Sequence, residues 1–419
     1  MKSRNLHVLI IGGGIAGPAL ALLLKKAGIS SAVYEAHQSL DDVGGGFTIA
    51  PNGMNVLEEI GLADSVVGSG ARVSEFCFRD QSGKVLARFQ AGKVQKYRWP
   101  SVATSRTVLH RILMDEVARQ GIQVEYHKRL MELATDGGKV VASFEDGTTA
   151  HGDFVVGADD VHSRVRQVIF PSAPRASYLG VLGVGGFVTP SVTVAAGTAD
   201  RRSLNFTLGN AGQFGYCNIG QHEERWMWWC HLPHDKELTS AELAAVSNEE
   251  MRKKLLDRHG GWHDPIRTFL NNTPGIIKTN VYEVQHLPAW HHDRVVLVGD
   301  AAHAMSPSAG QGASVALEDA LHLVKLLRRS SGEIETVFAE YERARRPRAD
   351  RISAEAHKNE TRQKAELGPL GGRLRNSLLS AVLPLFGPRS LDWMYSYRVD
   401  WREPIPGQLP FNTYVPPPV

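Results

Sequence analysis

Three groups of residues have the types and spacing for chemistry. The first is Gly12-Gly13-Gly14-Ile15-Ala16-Gly17, a GxGxxG run, with Glu35 eighteen residues beyond Gly17. Glycines at Gly12, Gly14 and Gly17 let backbone N–H groups approach a pyrophosphate at a helix N-terminus. Glu35 stands about where a carboxylate accepts hydrogen bonds from a ribose. A carboxylate there suits an adenosine ribose without a 2′-phosphate, as in FAD or NAD. The second group is Gly299-Asp300-Ala301-Ala302-His303, then Pro307, then Gly310-Gln311-Gly312 ahead of Ala313. The third is Gly157-Ala158-Asp159-Asp160 with Arg164 and Arg166 close behind.

Local elements must position these groups. Residues 6–11 are a continuous apolar run of strand length, which reads as a buried parallel strand. Residues 18–27 read as a helix with Pro18 tolerated in its first turn and Gly28 at its stop. A second strand over 31–34 ends at Glu35. Residues 294–298 form another buried-strand run, and a long helix is expected from about Ala313 to Arg329. The N-terminus also carries features of a signal peptide. Residues 6–24 are uncharged, Lys2 and Arg4 precede them, and Ala19-Leu20-Ala21 resembles a signal-peptidase site. Four glycines and Pro18 interrupt that run, so strand, glycine loop and helix are preferred.

The combination resembles the class A flavoprotein monooxygenases, the para-hydroxybenzoate hydroxylase superfamily. GDAAHAMSPSAGQGASVALEDA carries that family's second signature, and GADDVHSRVR its third, with Asp159-Asp160 in place of Asp-Gly. Ser314 stands where asparagine is common in the family. The resemblance covers roughly residues 6–350. It implies an α/β fold: a discontinuous, Rossmann-like FAD-binding domain, a second substrate domain on a mostly antiparallel sheet, and a C-terminal helical segment. Residues 1–72, 98–178 and 285–350 are assigned to the FAD domain and 73–97 with 179–284 to the substrate domain. Residues 351–401 are assigned to the helical segment and 402–419 to an extended tail.

The resemblance also implies roles. Asp300 would accept from ribitol hydroxyls, Pro307 would lie near the isoalloxazine ring, and the helix at Gly312-Ala313 would stabilise negative charge on reduced flavin. Gly46, in the 44–46 glycine loop, would pass the ring, and Arg106 would reach the phosphates. Asp159 would support the pyrophosphate. The cofactor would be FAD, held non-covalently, with NADH or NADPH as a transient co-substrate. The reaction would insert one atom of O2 into an aromatic or polycyclic small molecule through a flavin C4a-hydroperoxide. Size resembles the tetracycline-modifying and small-aromatic branches. A reductase on the same scaffold without oxygen insertion, and a flavin carrier without chemistry, are the alternatives. No residue type in the sequence singles out a catalytic base.

Residues 179–232 read as strand after strand, rich in aromatics. Phe206, Phe214, Tyr216 and Trp228 are candidate substrate contacts with Pro307, although each single aromatic is more often core. Residues 226–229 are expected to be a strand with bulky residues on both faces. Asp146-Gly147 is a hairpin signal, and a long helix after Glu333 would brace the two domains.

Composition sets the remaining bounds. The 419 residues suggest two or three domains at roughly 150 each. Net charge is 47 − 44 = +3, too small to argue for nucleic acid. The basic run at 343–348 reads as a solvated helix end. Cys77, Cys217 and Cys230 form no disulfide framework or metal-ligand pattern and fit a reducing, cytoplasmic setting. No stable membrane insertion is expected, and the assembly is expected to be a monomer or homodimer.

Overall fold

The computed structural model describes residues 6–38, 44–90, 94–188, 201–221, 224–329, 333–364 and 368–402. Most of the tail expected over 402–419 therefore lies outside the described residues. The fold is α/β, as the sequence predicts. A six-stranded sheet runs in the order His291–His292, Val295–Leu297, Phe154–Gly157, His7–Ile11, Ser30–Tyr34, Gln123–Glu125. All its neighbours are parallel except the first pair. The central strands are buried on both faces, which is why they read as unbroken apolar runs. The helices Ala16–Lys26 and Gly312–Leu327 pack together beside this sheet. The uncharged N-terminal run is thus strand and buried helix.

A second, seven-stranded sheet has the order Ile276–Glu283, Ser177–Val188, Trp226–Pro233, Gly212–Asn218, Ser203–Gly209, Glu75–Asp80, Val85–Gln90. It is antiparallel except where Ser203–Gly209 meets Glu75–Asp80. The expected hairpin at Asp146-Gly147 joins Lys139–Phe144 to Thr149–Gly152, with Gly147 at φ +80°.

Strand periodicity divides the aromatic sheet into two environments. Phe214, Tyr216, Trp226 and Trp228 point to one face, where Leu255, Ile266 and Phe269 of the helices Asn248–His259 and Ile266–Asn272 seal them. Met227 and Trp229 point to the other face, with Phe187 and Phe206. Bulky residues do occupy both faces of residues 226–229, as expected. All three cysteines are buried and free, and burial pushes the Cys230 thiol up to about 12.

The basic run corrects the sequence reading. Residues 343–348 lie inside the helix Ile334–Lys364, and Arg345 is fully buried. Its guanidinium donates to Asp319 and Glu318, both at 2.7 Å, and Arg348 donates twice to Glu318 at 2.8 Å. Glu318 also accepts from Asn52 at 2.6 Å, and Asp319 from His303 at 2.6 Å. Burial would raise the Asp319 carboxyl, but His303 and Arg345 outweigh it and hold it down at about 2. These ion pairs and hydrogen bonds tie the helices Pro51–Glu59, Gly312–Leu327 and Ile334–Lys364 to the segment that follows Asp300.

Candidate functional site

Parallel pairing places Ile11 beside Gly157 and Gly157 beside Leu297. The loops after these three strands therefore leave from one edge of the sheet, and they carry Gly12, Asp159 and Asp300. Tyr34 pairs with Ile11, which brings Glu35 to the same edge. Carboxyl ends of parallel strands are where open α/β sheets bind ligands.

The glycines fit this crowding. Gly12 has φ +111°, and a Cβ on it would stand 2.3 Å from the Ala158 carbonyl oxygen. A Cβ on Gly17 would stand 1.9 Å from the Gly12 carbonyl oxygen. Gly14, Ile15 and Ala16 are partly exposed at the loop's outer side. Glu35 is buried; its carboxylate accepts from the Gly13 N–H at 2.7 Å and the His37 N–H at 2.8 Å. It is thereby oriented by the same loop that would carry the phosphates. His110 donates to the Gly13 carbonyl at 2.9 Å and fixes the loop from behind. Nothing in the sequence marks that contact beyond a histidine one helical turn after Arg106.

Arg106 opens the helix Arg106–Arg119, and its N–H donates to the Gly45 carbonyl at 3.1 Å. Its side chain lies close to Gly14 and Gly44, so the arginine does reach the glycine loop. Asp159 behaves differently from an exposed phosphate support. Its carboxylate turns inward, accepting from the Ser163 hydroxyl at 2.6 Å and the Val165 N–H at 2.9 Å. Only its backbone backs Gly12. Asp160 takes the glycine conformation, with φ +68°, which an aspartate tolerates.

The Asp300 carboxylate accepts no hydrogen bond from any described residue. Burial pushes its carboxyl up to about 6, with Asp160 adding to the shift and His303 and Arg106 opposing it. Asp160 belongs to the third group, and a Cβ on Gly299 would stand 3.8 Å from the Ala16 Cβ of the first, so the three sequence groups meet here. Gly312 starts the helix Gly312–Leu327 beside Asp300, and Ala313 follows it half-buried. Pro307 opens a short 3-10 turn and is exposed, and Gly310 closes that turn at φ +60°. Gln311 instead points inward and accepts from Asn52 at 3.0 Å. Ser314 also faces inward: its hydroxyl accepts from the Ala50 N–H at 3.2 Å. The departure from asparagine there falls on helix packing.

The substrate candidates need correction. Phe214, Tyr216 and Trp228 belong to the sealed core face and line no open site. Phe206 is on the other face, half-buried, stacked with Phe78 and edge-on to Trp229. Residues that the sequence did not single out share that face. A Cβ on Gly46 would stand 2.1 Å from the Met227 sulfur, so Met227 touches the strand after the 44–45 loop. Two residues on, Trp229 lies over Gly215. Two further on, His231 donates from Nδ1 to Glu360 at 3.0 Å. The same carboxylate accepts from Ser306 at 2.7 Å and Ser308 at 2.6 Å, on either side of Pro307. Burial would raise Glu360, but His231 and the two hydroxyls outweigh it and hold it down at about 2. One strand thus spans from the 44–46 loop to the Pro307 turn. Strand parity was legible, but which face met the glycine loops was not.

These features fit an FAD: a cradle with no room for a Cβ at Gly12 or Gly17, an oriented ribose carboxylate, an arginine at the phosphate loop and an uncommitted Asp300 carboxylate. Replacing Glu35 with alanine should weaken FAD binding by roughly 1–3 kcal/mol, the scale of hydrogen bonds to a charged group. Titration of apoprotein with FAD, followed by flavin fluorescence, measures it; wild-type affinity would remove Glu35 from the site.

Comparison with known proteins agrees. The family described as FAD binding domain matches residues 5–356. The chain is 32% identical over 373 residues to 6-hydroxynicotinate 3-monooxygenase of Pseudomonas fluorescens, covering 85% of this chain and 92% of that protein. It is 28% identical over 439 residues to salicylate hydroxylase of Pseudomonas putida, covering 96% and 95%. Its fold matches Klebsiella pneumoniae HpxO, solved with FAD and uric acid, with TM-score 0.79 at 24% identity over 93% of this chain and 96% of that one.

Proposed function

The chain belongs to the FAD binding domain family and is an FAD-dependent monooxygenase, and from that premise we propose that it hydroxylates a small aromatic or heteroaromatic ring bearing a hydroxyl or carboxylate. The observation that carries the reading is the face shared by Phe206, Met227, Trp229 and His231, which runs between the two glycine loops. The relatives support the ring size, since their names specify hydroxynicotinate and salicylate. NADH or NADPH is the reductant, as is typical of the family.

Bound FAD supplies the redox chemistry and the activation of dioxygen. Glu35 would hold the adenosine ribose, Arg106 and the N–H groups of residues 14–16 the pyrophosphate, and Asp300 the ribityl hydroxyls. The N-terminus of Gly312–Leu327 would favour negative charge on the ring. Phe206, Met227 and Trp229 offer an apolar wall that excludes water from the reacting atoms. His231 has its Nδ1 proton committed to Glu360, which leaves Nε2 as the acceptor. It would take the proton of a substrate hydroxyl there and so enrich the ring for attack.

Stopped-flow absorbance of the flavin band tests this with a panel of hydroxylated benzoates and pyridine carboxylates. Flavin reduction by NADH or NADPH alone should be slow, with a marked rise when a substrate is present. In His231→Asn the reduction step should keep its rate while turnover falls roughly 100-fold, the scale of lost general-base help. If no member of the panel changes either reduction or turnover, the substrate class is wrong. If His231→Asn turns over like wild type, the base assignment is wrong.

A further inference from the structure

The helix Pro369–Tyr395 lies against the outermost strand of the seven-stranded sheet, Val85–Gln90, where a Cβ on Gly387 would stand 2.6 Å from the Phe89 ring. Its opposite side is apolar and bare. Leu374 is 73% exposed, Leu378 61%, Val382 39%, Leu385 67% and Phe386 55%. These are five of the nine exposed large apolar side chains among the described residues, so the exposure is concentrated on one element. At 3.6 residues per turn the five fall within an arc of about 120°. Val85, 47% exposed, is on the strand that the helix covers. Scattered exposed leucines need no explanation, whereas a contiguous stripe marks an interaction surface.

Charge decides what the stripe meets. Residues 369–391 contain Arg373, Arg375 and Arg389 and no aspartate or glutamate; the first acid is Asp392. On the same 3.6-residue geometry Arg389 is exposed within the apolar arc, Arg375 is half-buried within it, and Arg373 is exposed outside it. Pairing with a second copy of the helix would set these arginines against each other with no carboxylate between 369 and 391 to compensate. An anionic bilayer surface satisfies both features: acyl chains accept the stripe, and lipid phosphates take the guanidinium groups. We propose that the helix Pro369–Tyr395 seats this protein on the surface of an anionic lipid membrane, lying in the interface without crossing it. Among the described residues no helix is long and apolar enough to span a bilayer. Docked this way, the seven-stranded sheet is held beside the membrane by its edge strand.

Flotation of the full-length holoprotein with vesicles tests it. Vesicles of phosphatidylcholine mixed with phosphatidylglycerol should carry the protein upward, pure phosphatidylcholine vesicles should carry much less, and added salt should release it. The double variant Leu378→Glu, Leu385→Glu should float at least about 10-fold less, while keeping the wild-type flavin absorbance and elution volume. Failure of the wild type to float, or unchanged flotation of the variant, overturns the proposal. So does a wild-type oligomer that the variant converts to a smaller species, since the stripe would then be a contact between copies.

Discussion

Arg345→Met should destabilise the protein by about 3–5 kcal/mol, the scale of breaking a buried ion pair by removing one partner. Arg345 is completely buried and is the shared partner of Glu318 and Asp319. Without it, two carboxylates in the interior lose their main compensation, although Arg348 and His303 still reach one each. Denaturant unfolding of the holoprotein measures the loss. A double variant that adds Asp319→Asn should recover part of it, because one buried carboxylate is gone and Glu318 keeps Arg348. Loss of under about 1 kcal/mol in the single variant, the range of surface pairs, would show that the network is solvated.

Gly12→Ala should weaken FAD binding roughly 100-fold or more while leaving most of the secondary structure. The backbone conformation alone costs a non-glycine residue about 1–3 kcal/mol. The added methyl would also meet the Ala158 carbonyl oxygen at 2.3 Å and the Asp159 Cα at 2.9 Å, which are backbone atoms of the neighbouring loop. Relief requires that the two loops part, and those loops form the cradle. Gly68→Ala is the control: nothing lies within 4 Å of its Cβ and its φ is ordinary for an L-residue, so it should bind FAD normally. Colour after purification, circular dichroism and FAD titration separate cradle damage from misfolding. Wild-type FAD affinity in Gly12→Ala would contradict the cradle geometry.

What was legible in the sequence follows the range of the forces involved. Gly12, Gly14, Gly17 and Glu35 lie within two consecutive strands and the loop and helix between them, so their spacing alone shows that they come together. Asp160 is different: it stands at the glycine position of the signature that the chain resembles, and it takes the left-handed conformation there. The 343–348 run was misread because a run of arginines is usually solvated. Its acidic partners lie on another helix, at Glu318 and Asp319, and only tertiary packing brings them together. Ser314 and Gln311 belong to the flavin signature, yet their side chains turn to the helix Pro51–Glu59 or to its N-cap, a choice that no local pattern records. The aromatic candidates failed for a similar reason. Alternation separated Tyr216 and Trp228 from Met227 and Trp229, but the side of the sheet that faces the glycine loops depends on how the sheets dock. His231 and Glu360, 129 residues apart, had no common signal.

The central claim is that the convergent cradle and the Met227–His231 face serve oxygen insertion. It is tested most directly by turnover under 18O2 with a substrate that stimulates NADH or NADPH oxidation, followed by mass spectrometry of the product. The account predicts a product that carries one 18O atom for each reduced nicotinamide consumed in coupled turnover. Product that carries oxygen only from water, or that is reduced or dehydrogenated with no added oxygen, would contradict it.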